Sequence, residues 1–464
     1  MSGSKMDVST AVKSGRVDAK MMVAYALIAL VVIITPIAFA GSGYGFVVRI
    51  LCIVGIYILL ALGLNIVVGY AGLLDLGYIA FFAIGAYVTA IVTQSVILFS
   101  ALDYFQKTGH HVPPGFSWWD LMNFTQNMDA LAIDPAWATS LRYVSTHNGL
   151  LPWMFIICIP LAAAGAAAAG IMLGTPVLRL RGDYLAIVTL GFGEIVRIII
   201  TNNPGGSTPA GGSSPIGGLT GGPAGLPRAG VLLPDPVGLD WLTKNFQINI
   251  AGIGARGFHF IFDVNMYWYF FIVLLALVTI FIVRRLDDSR LGRAWVAMRE
   301  DEVAAASSGI NIMTQKLWAF SLGALSGGVA GLVYLNLQGS VTPETFNFME
   351  SVFVVSIVVL GGMGSIPGVI VGGLIIEGVP AMIQGLAGAG KLPVSPAAAT
   401  MIGNYRFLAF GILMVIMMAW RPQGILPSSR RARELKPENV DILEHEDQTL
   451  YEAQHDEAQP SDKF

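Results

Sequence analysis

Charge is what this chain lacks most. Asp, Glu, Lys and Arg make up only 12% of its 464 residues, against about a quarter in soluble globular proteins. A chain that poor in charge cannot clothe itself in a hydrated surface. With 55% hydrophobic residues and a mean hydropathy of +0.67, a water-soluble fold is excluded. Cysteine is nearly absent too: Cys52 and Cys158 both fall inside apolar runs, which suits packing better than a disulfide or a metal pair. The six histidines lie in loops and in the tail, so no Asp/Glu/His proton relay is visible. No complete nucleotide motif exists either. Gly385-Leu-Ala-Gly-Ala-Gly-Lys391 approaches a phosphate-binding loop, but Leu392 replaces the metal-binding hydroxyl and Pro393 stands where the helix should begin. The chain therefore reads as a non-enzyme that binds no ATP of its own and needs no cofactor or metal. The sequon Asn123-Phe-Thr125 is assigned no role.

What is abundant is apolar sequence in span-sized pieces. A helix needs roughly 20 apolar residues to cross a bilayer. Candidate spans lie at about 21–40, 47–68, 77–99, 152–173, 184–200, 267–283, 316–337 and 404–420. The apolar stretch 350–386 is broken by Gly361-Gly-Met-Gly-Ser-Ile-Pro-Gly368 and reads as two spans joined by a tight turn, with a re-entrant pair of half-helices as the alternative. The expected fold is an all-α polytopic membrane protein of about ten transmembrane helices. A resemblance between the Gly-rich stretches near 69–78 and 361–368 hints at two repeated halves. Basic residues set the orientation. Lys5, Lys13, Arg16 and Lys20, then Arg179 and Arg181, then Arg284 through Arg299, then Arg421 to Lys436 all fall on one side if both termini are cytoplasmic.

That topology divides the chain into a cytoplasmic arm at 1–20, a transmembrane domain at 21–428 and a disordered acidic tail at 429–464. Long loops at about 100–151 and 201–266 lie on the opposite, outer side. The Gly/Pro/Ser-rich part of the second, 201–238, is either a docking or gating surface or a slack linker.

Between two spans, residues 287–310 form a charged, helix-prone segment, expected to be a surface coupling helix. Asp287, Asp288 and Ser289 supply caps at its start and Gly309 a stop. An amphipathic helix on anionic lipid would look similar, but Glu300, Asp301 and Glu302 interrupt the basic face and would be repelled by it. Arg290, Arg293, Arg299, Glu300, Asp301, Glu302 and Gly309 are thus candidate coupling residues, touched by a soluble partner that does the work. Within the spans, a charge costs about 3 kcal/mol or more unless partnered. Asn65, Asp75, Glu194 and Glu377 are candidate lining residues of a substrate path. Glu194 is also three residues from Arg197 and suited to pair with it, while Asp75 reads equally as a helix cap. Gly323-x-x-x-Gly327-x-x-x-Gly331 should admit another helix to backbone contact, within the chain rather than between subunits.

Five segments together resemble a known family. Gly63-Leu-Asn-Ile-Val-Val-Gly-Tyr-Ala-Gly-Leu-Leu-Asp-Leu-Gly-Tyr78 and the span after it are similar to the first signature of LivM-type permeases of bacterial branched-chain amino acid ABC importers. Arg181-Gly-Asp-Tyr through Arg197, Gly292-Arg-Ala-Trp through Ile310, Gly361 through Gly368, and Trp420-Arg-Pro-Gln-Gly-Ile-Leu-Pro427 follow in family order, so the resemblance covers roughly 45–430. Glu302 is followed by Val303, so the coupling loop departs from the Glu-Ala-Ala pattern of other importers. The resemblance implies a heterodimer with a LivH-like permease, two cytoplasmic ATP-binding subunits and a periplasmic amino-acid-binding protein, in a bacterial inner membrane. Besides lipid these are the expected partners; nucleic acid is not among them. Urea and short-chain amide permeases share this architecture, and an ion-coupled secondary transporter or a passive channel are the mechanistic rivals.

Overall fold

The structure of the protein, a computed structural model, describes residues 34–36, 45–108, 151–177, 180, 182–202, 220, 222–227, 264–390, 408, 410–417, 419–421 and 424–426. Among these, seven helices are long and apolar enough to cross a membrane. They cover Phe46–Tyr70, Ile79–Val96, Ile156–Thr175, Tyr184–Thr201, Asn265–Asp287, Ile312–Gln338 and Ile366–Gly388. The expected span at 21–40 lies outside the described residues except for 34–36, and that at 404–420 is helical over 410–417. The arm, the acidic tail and most of both long loops also lie outside the described residues.

The first described span, α1 (Gly45–Leu64), passes through a wide π-turn at Asn65–Tyr70. From Ala71 to Tyr78 the chain is not helical, and α2 (Ile79–Lys107) starts from there. α3 (Leu151–Val177) and α4 (Asp183–Thr201) follow, then α5 (Val264–Asp287). The expected single coupling helix is instead an elbow of two, α6 (Arg290–Glu300) and α7 (Glu302–Ser307). Its break has a local cause. Asp301 adopts an extended backbone (φ −153°, ψ 113°), and its side chain accepts from the Val303 and Ala304 amides, so it caps a new helix rather than continuing the old one. Ser289 caps α6 in the same way, and Gly309, at φ +85°, turns the chain after α7.

α8 (Ile312–Gln338) is the central helix, capped by Asn311 and ended by left-handed Gly339. α2 and α3 close on it at backbone distance: a methyl built on Gly328 would stand 2.5 Å from the Ala162 carbonyl, and one on Gly85 2.2 Å from the Gly328 carbonyl. Gly323 faces α1 and Gly327 and Gly331 face α2, so the glycine ladder serves packing inside the chain, as expected.

The stretch 350–386 resolves into unequal pieces. α9 (Phe348–Gly361) has 14 residues, about 21 Å of helix, too short for a core about 30 Å thick. A tight turn then leads to α10 (Ile366–Gly373), a π-turn at Leu374–Gly378 and α11 (Val379–Gly388), which together make one full span. The tight turn is where it was expected, but of the two expected spans only the second, Ile366–Gly388, is long enough to cross. The Asn347 cap and the 3-10 turn Pro343–Phe346 stop α9 from extending further. Its first turn touches the middle of α1, where Tyr57 donates to Glu350 (2.5 Å), and the start of α2, where the Ile79 amide meets Ser351 (3.3 Å). Part of the second long loop is anchored as well. Leu226–Pro227 (β1) pairs antiparallel with Ser340–Val341 (β2), and the Thr220 hydroxyl donates to Ile200.

Candidate functional site

The elbow is held to the bundle by the groups that point inward. On α6, Trp295 and Met298 are buried, and the indole Nε1 donates to the Gln315 carbonyl at the head of α8 (3.0 Å). Gly292 lies under the last carbonyls of α5, which fixes the angle between the two helices. Arg299 does not reach out. Its stem covers Gly72 and its Nη1 donates to the Gly69 carbonyl (2.9 Å), at the π-turn of α1. Glu302 also turns inward, to Lys316 Nζ at 2.6 Å. The Lys316 side chain is only 3% exposed and that of Glu302 23%, so this is a nearly buried ion pair. The outer surface is left to Arg290, Arg293, Glu300, Asp301, Val303 (65% exposed), Ala304, Ala306, Ser307, Ser308 and Gly309. Of the seven coupling candidates, five are therefore presented outward and two, Arg299 and Glu302, are anchors. Lys316, Trp295 and Val303 were not singled out. Lys316 carried a signal: a lone cation in the first turns of an apolar helix, fourteen residues after an acid.

The Lys316–Glu302 pair sets a measurable expectation. Glu302→Gln strands a buried ammonium and should cost about 3 kcal/mol. Replacing both, Glu302→Gln with Lys316→Met, should recover most of that. Thermal unfolding of the purified protein in detergent reads the difference; equal losses in single and double variants would mean the two charges are not coupled.

Arg299 joins the elbow to a buried loop at the same end of the bundle. Asn65 begins the π-turn and its Oδ1 accepts the Gly364 amide (2.9 Å), tying α1 to the turn between α9 and α10. The two glycine-rich stretches that suggested a repeat thus touch each other. Beyond Gly72 the chain climbs back into the bundle. Tyr78 donates to the Gly323 carbonyl (2.8 Å), eleven residues into α8, or about 16 Å along its axis. Asp75 is fully buried on this climb and its Oδ1 accepts the Gly77 amide (2.9 Å), a local turn just before α2. The Leu76 amide donates to Thr189 of α4 (3.1 Å), and Gly77 lies directly on the Thr189 carbonyl. Non-helical backbone at membrane depth survives only when enclosed like this.

Glu194 accepts from Arg197 Nε at 2.8 Å, the intrahelical pair expected from their spacing, and Arg197 Nη1 stands 3.6 Å from Glu344 in the 3-10 turn before α9. Glu377 is half-buried in the π-turn of the last full span among the described residues, remote in sequence from the elbow. The structure thus brings Asn65 and Asp75 to the loop beneath the elbow and leaves Glu194 and Glu377 on separate helices. Among the described residues no His/Cys/Asp/Glu cluster suits a metal ion.

A short charged elbow thus lies at one end of a bundle of apolar spans, joined to a buried loop through Arg299. Residues 46–418 match the family model of the branched-chain amino acid transport system permease component. The high-affinity branched-chain amino acid transport system permease protein LivM of Escherichia coli K12 is 37% identical over 386 residues, covering 82% of this chain and 70% of that protein. Its counterpart from Salmonella typhimurium is 38% identical over 390 residues, with the same coverage. The LivH permease of Escherichia coli K12 is 28% identical over 199 residues, 42% of this chain and 55% of that protein. No solved structure matches. The chain is a multi-pass membrane protein and belongs to the family of branched-chain amino acid transport permease components.

Proposed function

We propose that this chain is one of two permease subunits of an ATP-driven importer that carries branched-chain amino acids inward across a bacterial inner membrane. A LivH-like permease is the second, two ATP-binding subunits sit on the cytoplasmic side, and a periplasmic binding protein delivers the substrate. Both termini and the elbow face the cytoplasm, in keeping with the basic residues that cluster there. The observation that carries this reading is the Arg299–Gly69 contact: it connects an outward-facing elbow to the loop that closes the bundle at that end. Closure of the ATP-binding subunits pushes α6 and α7. The push reaches the π-turn at Asn65–Tyr70 through Arg299 and the head of α8 through Trp295 and Lys316. Rigid displacement of packed helices then exchanges outward- for inward-open states, and the substrate needs only different affinity for the two. In this scheme Asn65 and Asp75 shape the moving loop, while Glu194 and Glu377 border the path. A branched-chain amino acid rather than urea is the substrate this reading favours, because the LivM relatives are named for branched-chain amino acid transport.

Proteoliposomes holding the full assembly test this. Accumulation of leucine, isoleucine and valine should require ATP inside and the binding protein outside, with urea ignored. Accumulation of urea instead, or uptake driven by an ion gradient without ATP, would overturn the reading.

A further inference from the structure

The charges on α4 do not fit a helix that faces lipid. α3 ends at the elbow side, where Gly174 packs on Leu317 near the head of α8, so α4 starts on that side and rises away from it. Glu194 is then eleven residues up α4, about 16 Å, and Arg197 about 21 Å, in the middle and outer half of a core about 30 Å thick. At that depth the side chains of Glu194 and Arg197 are still 31% and 27% exposed, and that of Glu344 beside them is 76% exposed. Acyl chains around three partly open charges would be costly even with one pair formed. This face is therefore covered by water or by protein. Next to it the helix is open: nothing stands within 4 Å of a methyl built on Gly191, one turn below Glu194, and Ile198, one turn above, is 47% exposed.

The chemistry of the cluster is specific. The guanidinium uses Nε for Glu194, while Nη1 is 3.6 Å from Glu344, beyond hydrogen-bond reach. A planar cation that is still 27% exposed, with only Nε committed to a hydrogen bond, fits a carboxylate with two bonds. Glu344, the more exposed acid, is placed to receive an ammonium. We propose that Arg197 and Glu344 form a binding site for the zwitterionic head of a free α-amino acid, its carboxylate on Arg197 and its ammonium on Glu344. Glu194 orients the arginine, and the aliphatic side chain lies along Gly191 and Ile198. The proposal rests on the importer reading and gives the path its polar contact.

Two variants of the complete reconstituted transporter test it by leucine uptake. Glu344→Gln removes an exposed charge with no buried partner, so assembly should survive, and uptake should fall about tenfold or more through loss of a charge-assisted bond. The exchange Glu194→Arg with Arg197→Glu keeps an intrahelical ion pair but presents the wrong sign, and should fall equally. A purely structural pair would tolerate that exchange. Uptake within twofold of the unaltered transporter for Glu344→Gln overturns the proposal whether or not the exchange variant assembles. If the unaltered transporter itself moves no leucine, the importer reading fails, an outcome separable from normal uptake by the variants.

Discussion

Gly328→Val is expected to remove the folded protein from the membrane. Position 328 is where three helices meet: its backbone lies against the Ala162 carbonyl and the Ala166 methyl of α3 on one side and against Gly85 of α2 on the other. A first side-chain carbon there would stand 2.5 Å from the Ala162 oxygen, and two further methyls have nowhere to go. Backbone cannot yield as a rotamer can, so α3 must separate from α8. In lipid, close van der Waals packing of this kind is a main force holding helices together. The loss should be about 4 kcal/mol or more, in the range of severe core disruption. Size-exclusion chromatography of the detergent-extracted protein should show aggregate in place of the monodisperse peak. Gly411→Ala is the control: nothing stands within 4 Å of its added methyl, and it should elute as the unaltered chain does.

Charge reversal on the outer surface of the elbow should have the opposite signature, intact protein with no transport. Arg293 is exposed, and its Nη1 donates to the Asp288 carbonyl just after α5 (2.9 Å). Val303 is 65% exposed at the start of α7, the largest apolar side chain on the elbow's outer surface. Neither holds the bundle together. Arg293→Glu and Val303→Asp should therefore leave insertion and thermal stability within about 0.5 kcal/mol, the usual range for surface changes. A charge forced into a desolvated contact with a soluble partner should cost 2 kcal/mol or more of binding. Uptake should drop by about thirtyfold. The same reversal at Glu302 reads differently, because a lysine there would face buried Lys316 and should damage the fold itself.

These contrasts mark what was legible in the residues. Span positions were readable because apolar runs of about 20 residues have few other uses. Helix ends were not: α2 runs on to Lys107, where Lys107 pairs with Asp103 across one turn after the apolar stretch has ended. The elbow was legible as a charged insert with caps. Its break at Asp301 was not, because an acid before an Ala-rich stretch reads as helix interior or as N-cap with equal ease. Charge alone suggested that Arg299 and Glu302 face outward. Their partners, a carbonyl 230 residues earlier and a lysine on the next span, appear only when the chain is folded. Glu344 was passed over for a related reason: it belongs to a connection, and only the fold sets it beside Arg197.

The elbow should be the surface on which a separate ATP-binding subunit presses. A photoreactive benzoylphenylalanine at position 303 tests this directly in membranes containing the full assembly, with the same group at Phe281, exposed on span α5, as reference. Illumination should join the chain to the ATP-binding subunit from position 303, more strongly when ATP is bound, and to lipid alone from position 281. Lipid labelling from both positions, with the ATP-binding subunit present and untouched, would contradict it.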